Sequence, residues 1–131
     1  MKRAGKGFLL ILGLVLLNIA AAPTDEFDQI AAAMRIGDAK SIAIHFDHNV
    51  DIKTDDKSIT YSKNQAELVL REFFQHNTPR NFIIIHRGSS AKGAKYIIGT
   101  LETAQGIYRS FVRVKELDGK QLIEEMSFEK Q

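Results

Sequence analysis

The chain has 131 residues, of which 44% are hydrophobic and 26% are charged, and its formal net charge is +2. This length suits one domain with one core, and a charge so close to zero gives no general reason to expect nucleic-acid binding. Cysteine is absent, which excludes disulfides, thiolate metal sites, a cysteine nucleophile and a lipid anchor attached to an N-terminal cysteine.

The first 22 residues are typical of a secretory signal peptide. Three basic residues precede an apolar run from Phe8 to Ile19, and small residues follow up to Ala22. This run is shorter than the roughly 18 to 20 residues that span a bilayer as a helix, so no membrane anchor is expected. We expect cleavage near Ala22 and a periplasmic or secreted domain, residues 23–131. All 16 acidic residues but only 15 of the 18 basic ones belong to it, which changes the net charge to −1.

Three helices are predicted from apolar residues that recur at three- and four-residue steps. They cover residues 25–36, Ala39–Phe46 and Lys63–His76. Gly37 is well placed to end the first helix, and Asp38 and Ser62 are suitable caps for the second and third.

Six strands are predicted, two between the second and third helices and four after the third. The short pair is Val50–Lys53 and Ser58–Tyr61, and the later strands are 81–88, 94–103, 107–117 and 121–129. The later strands alternate apolar and polar residues as in an antiparallel meander, and Asp118-Gly119 is a hairpin signal. The pattern predicts an α+β fold in which three N-terminal helices pack on one curved, mainly antiparallel sheet.

Because side chains alternate across a strand, each strand can be divided into two faces. The face predicted to lie under the helices supplies the candidates for a ligand pocket. They are His86, Glu124, Tyr96, Tyr108, Ser110 and Met126. A buried carboxylate must pair or reach water, so His86, Glu124 and a tyrosine hydroxyl are expected to orient a ligand in an apolar pocket. The alternative is that His86 and Glu124 lie solvated near strand ends and have no function.

The opposite face of the sheet mixes apolar and charged residues, which suits a homodimer contact. The interface candidates are Ile83, Ile85, Phe111, Ile123, Arg109 and Arg113. The alternative is that β-branched residues occur there for strand propensity alone.

Motifs for catalysis or metal binding are weak. His45 and His48 are three residues apart near acidic residues, but no third ligand is fixed by spacing, so a solvated helix end is favoured over a zinc site. No metal or cofactor is expected. His86 with Glu124 or Asp51 could serve as an acid–base pair in a small isomerase or hydrolase. Seven basic residues between Arg80 and Lys115 could instead attract anionic surfaces.

The order of elements resembles the nuclear transport factor 2-like superfamily, a cone-shaped, cystatin-like α+β fold. More closely, the chain resembles a family of uncharacterised exported proteins of Gram-negative bacteria. The residues that carry the resemblance are Phe27-x2-Ile30, Gly37-Asp38-Ala39, Tyr61-Ser62-Lys63-x-Gln65-Ala66, Phe73-Phe74, His86-x-Gly88-Ser89-Ser90, Tyr96-x-Ile98-Gly99-Thr100-Leu101 and Ile123-x-Glu125-x-Ser127-Phe128-Glu129. They span nearly all of residues 25–130.

That superfamily contains isomerases, dehydratases, hydrolase-like enzymes and many non-catalytic binding or assembly domains. Its enzymes place aspartate, histidine and tyrosine inside the cone, whereas the inward positions of this chain are largely aliphatic or aromatic. Because the inner face is apolar and no catalytic group is assembled, we expect an exported, non-catalytic domain that binds a small apolar ligand or a protein partner, with a small isomerase or hydrolase as the alternative.

Overall fold

The computed structural model describes residues 25–131 with the exception of Ala91. The predicted signal peptide, residues 1–22, lies outside the described residues. The helices are α1 (Glu26–Ile36), α2 (Ala39–Ala43) and α3 (Lys63–His76). The strands are β1 (Phe46–Thr54), β2 (Lys57–Ser62), β3 (Pro79–Ser89), β4 (Lys95–Thr103), β5 (Gly106–Leu117) and β6 (Lys120–Lys130). Among these described residues, no helix is both long enough and apolar enough to span a membrane.

The six strands form one sheet in the order β2-β1-β6-β5-β4-β3. Every neighbouring pair is antiparallel except β1 and β6, which run parallel. The three helices cover one face of this curved, unclosed sheet, so the predicted α+β class and the mainly antiparallel sheet are confirmed.

Capping residues determine where α1 and α3 begin and where α1 ends. The Asp25 side chain accepts from the Asp28 backbone N–H at 2.9 Å, and Gly37 adopts the left-handed conformation (φ 69°) that ends α1. Ser62 and Gln65 form a capping box at the start of α3.

The second helix is shorter than predicted because Phe46 belongs to the sheet. Phe46 is 2% exposed and lies opposite Ile123 of β6, and the carbonyl of His45 accepts the Ile123 backbone N–H at 2.6 Å. Pairing with β6 therefore ends α2 at Ala43 and starts β1 four residues before the predicted Val50.

The core lies between the helices and the concave face of the sheet. Its fully buried side chains include Ile30, Met34, Ile42, Leu70, Phe82, Ile97, Leu101, Val112, Ile123 and Met126, each 0% exposed. The pairing of the strands is irregular at several points, among them one between Ile84 and His86 and one between Arg113 and Val114. A β-bulge inserts one residue into a strand and reverses the facing of every side chain beyond it.

Helix α1 lies against β3, which is an edge strand of the sheet. The Arg35 side chain donates to the carbonyl of Phe82 at 3.0 Å. Arg87 pairs with the carboxylates of Asp25 (3.1 Å) and Asp28 (2.8 Å) at the start of the helix. These contacts hold the helix on the strand at both ends.

Candidate functional site

His86 and Tyr96 lie on the outer face of the sheet, away from the helices, so their predicted inward orientation is wrong. Beyond the bulge in β3, His86 pairs with Ile98, and Arg87 faces the helices instead. The Tyr96 hydroxyl is 3.4 Å from His86 Nε2, and its ring lies 5.5 Å from that of Phe111. In β4 the inward residues are Ile97, Gly99 and Leu101, and the Phe82 ring packs where Gly99 lacks a side chain.

Glu124 and Ile123 exchange the positions predicted for them, because Glu124 is the residue inserted at the bulge in β6. Glu124 accepts from Arg113 Nε at 3.2 Å, and Glu125 lies 3.3 Å from the same guanidinium. Ile123 pairs with Val114 and is fully buried. Glu124 therefore does not line an inner pocket, and Ile123 cannot contribute to an interface on the outer face.

Tyr108, Ser110 and Met126 lie on the helix-covered face, as the alternation predicts. Met126 is a core residue with no exposed surface, and Ser110 is equally buried. Only Tyr108 reaches an open space, and its hydroxyl donates to Asn77 Oδ1 at 2.8 Å. The inward candidates therefore divide into two core residues and one residue at a cavity.

That cavity has a volume of 280 Å³ and lies where the end of α3 meets the β1–β2 turn and the inner face of β5 and β6. We call it the mouth cavity. Its apolar lining consists of Val69, Phe73, Tyr108 and Phe128. Its polar lining consists of Thr54, Asp55, Glu72, His76 and Asn77. An apolar floor with a few polar groups at the rim is the usual form of a small-molecule site.

The aromatic floor of the mouth cavity is held by ring contacts. The Phe73 ring lies 5.2 Å from Tyr108 in an edge-to-face arrangement and 4.3 Å from Phe128. Burial raises the pKa of the Tyr108 hydroxyl, and the negative charge of Asp55 raises it further. Tyr108 is therefore a neutral hydrogen-bonding group, and its pKa depends on the charge of Asp55 at the rim.

The residues of the mouth cavity other than Tyr108 are not among the candidates found in the sequence. Two signals could have identified them. Val69 and Phe73 are four apart on α3 and share a face with His76, and Asp55 occupies the turn between two short strands. What the sequence does not show is that β5 and β6 bring Tyr108 and Phe128 to the same place.

A larger cavity of 540 Å³ lies near the β3–β4 connection and includes Lys92, Arg113, Lys115, Glu116 and Glu124. Most of its charges are already neutralised. Arg113 pairs with Glu124, and Lys115 pairs with Asp47 at 2.7 Å, a contact that lowers the pKa of the Asp47 carboxyl and raises that of Lys115. We therefore regard the smaller mouth cavity as the candidate site.

The same ion pairs reduce the positive charge expected between Arg80 and Lys115. Arg87, Arg113 and Lys115 each contact at least one carboxylate. Attraction to anionic surfaces would depend on the remaining basic residues, among them Arg109, which is exposed on the outer face.

The residues of the alternative acid–base pair and of the disfavoured zinc site have other partners or are exposed. His86 contacts Tyr96, Glu124 contacts Arg113, and Asp51 accepts from the Thr60 hydroxyl at 2.5 Å. His45 Nδ1 lies 3.6 Å from Glu26, and His48 is exposed in β1 rather than at a helix end. Within residues 25–131 apart from Ala91, no three His, Asp or Glu side chains cluster as a metal would require.

Five of the six predicted interface residues, all except Ile123, lie on the outer face. Ile83 and Ile85 are 48% and 60% exposed, and Phe111 and Arg113 are partly exposed. Nothing in the single chain tests pairing between copies, so the homodimer stays a prediction.

Ser110 is the buried residue with the clearest unmet hydrogen bond. Its Oγ has no partner among the described residues. Ser110→Ala is expected to raise the free energy of unfolding by about 1 kcal/mol, because it removes an unpaired buried hydroxyl and adds no volume. Urea denaturation would measure this. Thr103→Val is the contrast: it should destabilise the domain, since the Thr103 hydroxyl donates to the Gly106 carbonyl at 2.8 Å. Destabilisation by Ser110→Ala would show that the hydroxyl is satisfied.

Comparison with solved structures identifies the fold. An NTF-2 like protein of unknown function from Silicibacter pomeroyi DSS-3 is 13% identical, with a TM-score of 0.59 over 80% of this chain and 89% of that one. The domain therefore has the nuclear transport factor 2-like fold, as the resemblance implied.

The family profile described as "Domain of unknown function (DUF4783)" matches residues 27–129, and the chain belongs to that family. A family member from Bacteroides fragilis YCH46 is 25% identical, with a TM-score of 0.75 over 79% of this chain and 96% of that one. Another, from Bacteroides uniformis ATCC 8492, is 22% identical, with a TM-score of 0.77 over 82% and 98%. Comparison with curated proteins finds no match.

Proposed function

We propose that this domain is an exported, non-catalytic binding module that holds a small, largely apolar ligand in the mouth cavity. The observation that carries the proposal is the cavity itself, whose aromatic floor adjoins the buried core. Export rests on the character of residues 1–22.

The size of the cavity limits the ligand. A volume of 280 Å³ accommodates about nine groups the size of water. This is close to the lower limit of sites for drug-sized molecules, about 300 Å³. A ligand of about nine non-hydrogen atoms, such as 2-phenylethanol, should therefore bind with a dissociation constant on the order of 1 mM.

The test is to replace a residue that lines the cavity with a larger one, so that its side chain occupies the cavity. Val69 is half-buried and lines the cavity, whereas its neighbour Leu68 on the same helix is 58% exposed and does not. Val69→Trp should weaken binding of 2-phenylethanol at least tenfold, and Leu68→Trp should leave it unchanged. Nuclear magnetic resonance titration would follow both variants and locate the bound probe from the backbone shifts.

Two results would contradict the proposal: the absence of shifts around the mouth cavity, or equal binding by wild type and Val69→Trp. If neither result is obtained, native mass spectrometry of protein isolated from its own host would identify the natural ligand. Wild type should retain a small molecule that Val69→Trp does not.

A further inference from the structure

The rim of the mouth cavity presents mainly hydrogen-bond acceptors. His76 Nδ1 is 2.9 Å from the Glu72 carbonyl, and since a carbonyl only accepts, this nitrogen carries a proton. In the neutral ring, Nε2 is then an acceptor. The Asn77 amide donates to the Phe73 carbonyl at 3.0 Å, and the Tyr108 proton is directed at Asn77 Oδ1. The donors of Asn77 and Tyr108 are thus largely committed to the protein itself.

The formal charge at this rim is negative. Asp55 and Glu72 are the charged residues of the cavity lining, which includes no lysine or arginine. Neither carboxylate forms an ion pair within the part of the chain that the structure describes, and Arg71, the neighbour of Glu72, pairs with Glu67 at 2.9 Å. A shallow depression beside Asp55 adds Asp56 and Glu129 against one basic residue, Lys53.

The floor of the cavity complements this charge. Aromatic rings attract cations through their faces and also bury apolar surface. The aromatic cluster of Phe73, Tyr108 and Phe128 lines the same cavity as the two carboxylates, and Phe73 is the most exposed of its three rings. A ligand with a positively charged head and an apolar body would satisfy both parts of the site.

We infer that the ligand of the mouth cavity is a small organic ammonium, with its apolar body on Phe73, Val69 and Phe128 and its charged head beside Asp55 and Glu72. This inference rests on the proposed function, because it assigns the chemistry of the ligand in the same cavity. It goes further in excluding neutral and anionic molecules of equal size as the preferred ligands.

Three probes of similar size and different charge test the inference: 2-phenylethylamine, 2-phenylethanol and phenylacetate. In low salt at pH 7 the amine should bind about fivefold more tightly than the alcohol, and phenylacetate should bind most weakly. Because the rim carboxylates are exposed to solvent, 1 M NaCl should remove most of the difference between the amine and the alcohol.

A pair of charge variants locates the effect. Glu72→Gln should lower the ratio of the amine's affinity to the alcohol's affinity at least twofold. Glu102→Gln removes the same charge from the outer face, between the inward residues Leu101 and Thr103, and should leave the preference intact. Titration followed by nuclear magnetic resonance reports both affinity and location.

The results of these titrations test the ammonium inference separately from the proposed binding function. Equal binding of amine and alcohol in the mouth cavity, or tighter binding of phenylacetate, would overturn the ammonium inference and leave the binding function standing. Amine binding that shifts only residues of the outer face would also overturn it. If none of the three probes binds in the cavity, the inference and the proposed function both fail.

Discussion

Ile123→Ala should lower the free energy of unfolding by about 2–5 kcal/mol, because it leaves a cavity among fully buried side chains. Ile123 pairs with Val114 and Phe46, at the junction of β1, β6 and β5. Urea denaturation followed by circular dichroism would measure the loss. The sequence alternation places Ile123 on the outer face, so this substitution distinguishes the two assignments directly.

Ile83→Ala is the matched control, since Ile83 is an isoleucine in the same sheet but is 48% exposed. Its effect on the monomer should be about 1 kcal/mol or less. Similar losses for the two variants would contradict the register of β6. A loss at Ile83 that grows with protein concentration would support the predicted homodimer, because a dimer contact stabilises through association.

Gly99→Ala is expected to destabilise the domain by about 2–3 kcal/mol. A methyl group at this position would overlap the end of the Phe82 ring and come within 3.0 Å of the Ile83 carbonyl. Phe82 is fully buried, so its ring has no free space to move into. Thermal and urea denaturation of the purified variant would measure the loss.

A second substitution tests whether the Phe82 ring causes this loss. Phe82→Leu shortens the side chain, and the double variant should be destabilised by less than the sum of the two single variants. Gly88→Ala is the control, because the nearest atoms to its methyl group belong to the Tyr96 ring, which is half-buried on the outer face and is expected to move aside more easily than Phe82. Simple additivity in the double variant would show that the backbone around Gly99, rather than Phe82, resists the methyl group.

Much of the fold follows from local signals in the sequence. The caps at Asp38 and Ser62 and the left-handed glycine at position 37 set the ends of the helices within a residue or two. The hairpin at Asp118-Gly119 and the alternation in β5 were also sufficient to place those strands. The end of α2 could not be predicted in this way, because it depends on the distant pairing of Phe46 with β6.

The errors in side-chain facing have one main physical origin. Simple alternation holds only while each strand pairs residue for residue, and β3 and β6 each contain a bulge. Beyond the first bulge His86 faces outwards, and at the second Glu124 is inserted and Ile123 turns inwards. The facing predicted for Tyr96 is wrong for a different reason. Gly99 is one of the inward residues of β4, and because it has no side chain, the inward set looks less apolar in the sequence than it is in the packed domain.

The mouth cavity cannot be predicted from the sequence, because each residue that lines it occupies an ordinary position in its own helix, strand or turn. Glu72 and His76 occupy ordinary surface positions of a helix, and Asp55 occupies a turn. They become a site only where α3 ends beside the aromatic side chains of β5 and β6. Contacts between elements so far apart in the chain cannot be derived from periodicity.

The parallel pairing of β1 with β6 has a consequence for the timing of folding. The first strand lies beside the last one in the sheet, so residues from Phe46 onwards cannot complete their hydrogen bonds until β6 is in place. A contact of such long range slows folding, because the intervening loop must close first. Docking of β1 on β6 should therefore be among the last steps of folding, after the antiparallel pairs β3–β4, β4–β5 and β5–β6, which join neighbours in sequence.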